Sequence, residues 1–92
     1  MKVVLITGAS SGIGKSIGEF LIKNNFKVYG TCRNPSNYSD SKINLIKSNI
    51  NNIDEIHSCV NYIFSREKSI DILINNAGIG FTGPIEDSGI KD

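Results

Sequence analysis

Residues 2–14 read KVVLITGASSGIG, and this stretch decides the fold. Its first half, residues 2–7, is an apolar, largely β-branched run with little polar alternation. That is the pattern of a strand buried on both faces, as in a parallel sheet. Its second half, residues 8–14, places three glycines where a strand turns into a helix. Gly8 allows a tight turn, and Gly12 lets a phosphate approach the backbone with no Cβ in the way. Gly14, with Gly18 one turn on, lets the helix lie close against the sheet. The apolar positions Ile13, Ile17, Phe20 and Leu21 then follow the i, i+4, i+7, i+8 spacing of one helix face. The helix is expected to end near Asn24 and Asn25, since Asn tolerates the left-handed conformation that closes helices. Free N–H groups of Gly12, Ile13 and Gly14, together with the helix dipole, favour a pyrophosphate at this turn.

The rest of the chain repeats the alternation. Lys27–Cys32 (KVYGTC) reads as a second strand, and residues 33–42 (RNPSNYSDSK) as a loop or one short helical turn. Residues 43–48 form a weaker strand, placed at a sheet edge because Lys47 interrupts it. Asn52 or Asp54 can cap a second helix whose apolar positions are Ile53, Ile56, Val60, Ile63 and Phe64. Residues 70–75 (IDILIN) read as a fourth buried strand, and residues 76–92 as loop, with 85–92 able to begin another helix. Right-handed crossovers turn this β–α series into an α/β doubly wound parallel sheet with helices on both faces and strand order 3-2-1-4. The fourth strand then lies at an apolar edge, so the sheet looks incomplete and a fifth strand is expected to follow.

Bulk properties exclude several classes. The 92 residues make one small domain, able to bury about 60–65% of its unfolded surface. With 39% hydrophobic and 21% charged residues the chain reads as soluble and globular. The net charge of +1 comes from scattered residues, with no clustered basic face, so neither nucleic acid nor a membrane surface is an expected partner. No signal peptide or stretch of transmembrane length is visible. Cys32 and Cys59 fit neither a metal spacing nor a CxxC motif and read as free thiols, which makes a cytoplasmic location the default. No His/Cys cluster suggests a metal, and His57 lies off the apolar stripe of the second helix.

A glycine-rich turn between a first strand and a first helix is where a dinucleotide fingerprint belongs. TGASSGIG at residues 7–14 and NNAG at 75–78, in register with the β–α pattern, resemble the short-chain dehydrogenase/reductase family. Three residues separate Gly8 from Gly12, as in the family's single-domain oxidoreductases; its longer, epimerase-like branch has two. The resemblance covers essentially the whole chain, but much less than half of a typical member. It implies a Rossmann-like fold, with residues 1–92 as the amino-terminal NADP(H)-binding part of one domain.

The choice of cofactor turns on the end of the second strand. An acid there binds a ribose 2′-hydroxyl, whereas an Arg accommodates a 2′-phosphate. This strand ends Thr31-Cys32-Arg33, with no Asp or Glu before Asp40, so Arg33 points to NADP(H). Ser10 and Ser11 can add hydroxyl donors. By resemblance, Cys32 stands where NAD-preferring members carry an acid and Arg33 where NADP-preferring members carry a base. Asn49-Ile50 stands where members have Asp-Val or Asp-Ile, the Asp contacting the adenine amino group; the Asn49 side-chain oxygen can accept a hydrogen bond but is neutral. Asn75 and Asn76 are implied to tie the sheet together, Asn76 being as able to touch ligand, and the Ala77 and Gly78 backbone to line the cofactor ribose. Residues 80–87 look like the loop of NADPH-linked members acting on steroids, lipids or similar carbonyls.

The same resemblance implies a catalytic Tyr-x-x-x-Lys pair with a Ser and a further Asn, well downstream of NNAG. Tyr38 and Lys42 have that spacing but fall on the adenosine side, too far from a hydride, so no catalytic residue is assigned. The expectation is an NADP(H)-dependent oxidoreductase moving hydride between nicotinamide and a small carbonyl or alcohol, homo-oligomeric when complete. These 92 residues supply its cofactor-binding portion and are inactive alone. The alternative is a non-catalytic nucleotide-binding or interaction module.

Overall fold

In the computed structural model, which describes residues 1–76, the chain alternates strands and helices in the expected order. Strand β1 (Val3–Ile6) leads through the glycine turn into helix α1 (Gly12–Lys23), and β2 (Lys27–Cys32) follows. A single 3-10 turn at Pro35–Tyr38 precedes β3 (Asn44–Lys47), helix α2 (Ile53–Glu67) and β4 (Ile72–Ile74). All three strand pairings are parallel and the order is β3-β2-β1-β4, the one expected from right-handed crossovers.

Each helix covers one face of the sheet. Val4, Ile6 and Val28 face α1 and pack with Ile17, Leu21 and Ile43, while Val3, Leu5 and Tyr29 face α2 and pack with Cys59 and Ile63. The helix ends follow local chemistry. Asn25 adopts φ 69° beyond α1, and the Asn52 side chain accepts hydrogen bonds from the Asp54 and Glu55 N–H groups to cap α2. Lys68 closes α2 at φ 71°.

Four helix positions assigned to the core lie at the surface. Ile13 and Phe20 are each 64% exposed, and Ile53 and Phe64 are also exposed. Gly14 and Gly18 take the buried line of α1, and Cys59 with Ile63 that of α2. At Gly18 a Cβ would stand 2.5 Å from Ile43 Cδ1, so the helix sits too close to the sheet for larger side chains to share that line. The fourth strand is shorter than expected and not buried: Leu73 is 63% exposed.

A polar cluster ties β2 to the end of α2. Tyr29 Oη donates to Glu67 Oε2 at 2.5 Å, Lys27 Nζ lies 3.6 Å from the same oxygen, and Tyr62 meets the Tyr29 ring edge-on. Burial, followed by the Glu67 hydrogen bond, raises the Tyr29 hydroxyl above its ordinary pKa. The Tyr29 hydrogen bond, and after it the Lys27 charge, hold the Glu67 carboxyl below its usual 4.5. A depressed carboxyl stabilises the fold above its unfolded pKa, and that contribution fades as pH falls through the folded value. Thermal unfolding of Tyr29→Phe is therefore expected a few degrees below wild type at pH 7, a loss on the order of 1 kcal/mol for the hydroxyl. The gap narrows below about pH 4.5; a gap that widens on acidification contradicts this assignment.

Candidate functional site

The C-terminal ends of β1, β2 and β3 open into one pocket of about 510 Å³. Such ends are where ligands bind in open α/β sheets, and the volume is within the range of small-molecule sites. Gly8 and Ser10 form one end, and Thr31, Cys32 and Arg33 lie along the middle with Asn34 and Tyr38. Ser48, Asn49, Ile50 and Asn51 form the other end.

The glycine turn is held in shape from three sides. Gly8, at φ 68°, donates its N–H to Thr31 Oγ1 at 3.0 Å, and Ala9 N–H donates to the Thr31 carbonyl at 3.1 Å. Asn76 Nδ2 donates to the Gly8 carbonyl at 2.8 Å, and Asn75 Oδ1 accepts from Thr7 Oγ1 at 3.1 Å. The two asparagines thus lash the end of β4 to the end of β1. Behind the turn, a Cβ on Gly14 would collide with the Gly8 carbonyl and lie 2.5 Å from Asn76 Nδ2. In front of it Gly12, at φ 62°, has nothing within 4 Å of where a Cβ would stand. Ser11 is the N-cap residue of α1 but makes no side-chain cap, and the first turn holds no acid, so the positive end of this helix faces outward unneutralised.

Of the residues singled out from the sequence, the pocket brings together Gly8, Ser10, Arg33, Asn49 and Ile50. Ser11, Gly12 and Ile13 lie on the exposed rim, while Gly14 and Asn76 support the turn from behind. Ala77, Gly78, the 80–87 loop and the helix expected from residue 85 lie outside the described residues. Arg33 is exposed and engages no carboxylate among the described residues. Asn49 is committed differently from the expectation. Its side-chain oxygen accepts the Asn51 N–H at 2.9 Å, and its own N–H donates to Glu55 Oε1 at 2.8 Å.

Sequence reading missed Thr31 and Tyr38. Thr31 is a buried hydroxyl on the last turn of a strand, and its position beside Gly8 follows only from the β1–β2 register. Tyr38 is an aromatic residue in the loop just after Arg33, and the 3-10 turn brings it to the pocket. Burial pushes the Cys32 thiol up, against a smaller opposing effect of the Asn34 backbone, which leaves Cys32 a neutral wall residue. Ser48 Oγ is buried with no hydrogen-bond partner among the described residues. Those residues contain no group of His, Cys, Asp and Glu that could hold a metal ion. None of their helices is long and apolar enough to cross a membrane.

Turn and sheet order together define a Rossmann-like α/β protein with a pocket at the ends of its strands, and comparison with known proteins narrows the class. A family model described as short chain dehydrogenase matches residues 2–92, and the chain belongs to that family. It is 39% identical over 85 residues to a 3-ketodihydrosphingosine reductase of Bacteroides thetaiotaomicron, covering 92% of this chain and 31% of that protein. It is also 39% identical over 84 residues to a 3-oxoacyl-acyl-carrier-protein reductase of Buchnera aphidicola, covering 85% and 34%. Among solved structures, the ligand-free aldohexose dehydrogenase of Thermoplasma acidophilum superposes with a TM-score of 0.77 at 34% identity, over 98% of this chain and 34% of that one. A 4-hydroxyisoleucine dehydrogenase complexed with NADH superposes at 0.74 with 30% identity, over 86% and 35%. The chain spans about a third of the length of these relatives.

Proposed function

We propose that this chain binds the adenosine, 2′-phosphate and pyrophosphate portion of NADP(H) within an oxidoreductase of its family. When bound, that cofactor supplies hydride exchange with a carbonyl or alcohol of a small molecule. The observation that carries the reading is Arg33. It lines the pocket, has no carboxylate partner among the described residues, and no Asp or Glu is among the residues that form the pocket. An Arg so placed suits a ribose 2′-phosphate, whereas a 2′-hydroxyl site calls for an acid. The nucleotide half fits the residues present. Open space in front of Gly12 and the uncapped start of α1 suit the pyrophosphate, Ser10 and Ser11 offer hydroxyl donors beside it, and Ile50 offers an apolar face to the base. By family likeness, the Ala77 and Gly78 backbone lines the ribose.

The relatives' names give carbonyl reduction and sugar or amino-acid dehydrogenation as the range of chemistry. The neighbour with NADH makes the choice of dinucleotide the point to test. No acid/base pair is assigned within these residues, so the chain alone is proposed to bind without turnover. Two free buried thiols suit a reducing cytoplasm. A small-molecule substrate and a homo-oligomer are proposed for the complete enzyme.

Calorimetric titration with adenosine 2′,5′-bisphosphate and with 5′-AMP tests the reading. The bisphosphate is expected to bind at least about tenfold tighter, with the advantage shrinking as salt rises. Equal affinities overturn the 2′-phosphate assignment. If neither ligand binds, the nucleotide reading itself falls, and an interaction module presenting the exposed Leu73 face of β4 becomes the better account.

A further inference from the structure

We infer that Thr31 is a positioning residue of this site. Its hydroxyl fixes the glycine turn against the end of β2 and so sets the spacing between the phosphate seat at that turn and Arg33. The inference rests on the nucleotide reading above and names the group that holds its two anionic ends in register.

Thr31 lies in β2, paired with Ile46 of β3, and stands two residues before Arg33. The turn rests on it through two bonds: the Ala9 N–H donates to its carbonyl at 3.1 Å, and the Gly8 N–H donates to its Oγ1 at 3.0 Å. Gly30 lets the turn lie that close, because a Cβ there would run into the Ala9 side chain. The carbonyl bond is open to any residue at this position, but the Oγ1 bond requires a hydroxyl. It pins Gly8 where the chain turns at φ 68°. Asn76 holds the Gly8 carbonyl from the end of β4, whereas Thr31 holds the Gly8 N–H from the strand that leads to Arg33. Thr31 is 4% exposed, so water is poorly placed to replace its hydroxyl as the partner of Gly8.

A ligand with one phosphate can follow whichever seat binds it. A ligand with a phosphate at both ends gains from the second only if the two seats already stand at the spacing of its own phosphates. Valine has the shape of threonine, suits a strand and keeps the carbonyl bond to Ala9, so Thr31→Val removes the Oγ1 bond alone. The Gly8 N–H then lacks its partner, the turn relaxes, and a ligand that bridges the two seats loses its advantage.

The test is calorimetric titration of wild type, Thr31→Val and Thr31→Ser with adenosine 2′,5′-bisphosphate, adenosine 2′-monophosphate and 5′-AMP. Thr31→Val is expected to bind the bisphosphate about tenfold more weakly, while each monophosphate changes by less than about threefold. Thr31→Ser keeps the hydroxyl and is expected to stay within about threefold of wild type for all three. A Thr31→Val protein that is folded by circular dichroism and keeps the wild-type bisphosphate affinity overturns the inference, with the nucleotide reading intact. So does one that loses all three ligands alike, or a Thr31→Ser that behaves as Thr31→Val. Should Thr31→Val fail to fold, amide exchange of wild type decides. The Gly8 N–H is expected to exchange at least about tenfold slower than in an unstructured peptide before any ligand is added. A Gly8 N–H that exchanges freely until the bisphosphate binds overturns the inference. If wild type binds none of the three ligands, the nucleotide reading has failed and this inference with it.

Discussion

Gly14→Val is expected to leave little folded protein, and Gly14→Ala to destabilise clearly. An alanine in an unobstructed helix interior would add about 1 kcal/mol relative to glycine. Here the Cβ would run into the Gly8 carbonyl and lie 2.5 Å from Asn76 Nδ2. Neither is the loose end of a flexible side chain. One is backbone in a turn fixed by Thr31, and the other is held by its hydrogen bond to Gly8. Overpacking of this kind costs on the order of 1–3 kcal/mol for one carbon, and more for the two further methyls of valine. Against a total stability of about 5–15 kcal/mol, valine removes most of the margin. Gly12→Ala is the control. It meets open space but must hold φ 62°, so it loses on the order of 1–2 kcal/mol through the backbone. Urea denaturation of the three variants separates contact from conformation. If Gly14→Ala is as stable as wild type, the close approach of α1 to the turn is wrong.

Arg33→Ser is expected to weaken adenosine 2′,5′-bisphosphate binding by about 10–100-fold, the loss of one or two charge-assisted hydrogen bonds, while 5′-AMP changes by less than about threefold. The exposed position of Arg33 makes this a test of binding with little penalty in stability. The wild-type preference is also expected to decline with salt, and that of the variant to stay flat. A variant that loses both ligands equally would mean that Arg33 shapes the loop and does not read the phosphate.

What the sequence disclosed and what it hid divide along a physical line. The strand–turn–helix of residues 2–14, the strand order and both asparagine ends were legible because each depends on local chemistry. A glycine turn, a crossover rule and a left-handed Asn need no knowledge of distant residues. The buried line of α1 was not legible, since hydrophobic periodicity counts large side chains and the closest contacts here are made by Gly14 and Gly18. Ile13 and Phe20 satisfy the period yet face outward for that reason, while on α2 Cys59 and Ile63 hold the buried line and Ile53 and Phe64 lie outside it. The pocket was half legible. Gly8, Ser10, Arg33, Asn49 and Ile50 do converge, but Thr31 and Tyr38 enter through sheet register and a 3-10 turn. That the Asn49 oxygen is already engaged was decided by its own turn, whose Asn-x-Asn spacing was a signal left unread.

The bonds that shape the glycine turn carry a consequence for the timing of synthesis. Val3 is bonded to Asp71, and Gly8 to Asn76, each across 68 residues. At a synthesis rate of about 5–20 residues per second, roughly 3–14 s separate the emergence of the partners. Once β2 has emerged, β1 has it on one side and keeps an open edge on the other until β4 arrives. Contacts so distant in sequence form late, after the cost of closing the loop between them has been met. The turn acquires its final shape only when its far-end tether arrives, so capture of nucleotide by a nascent chain would report that the sheet is complete through β4.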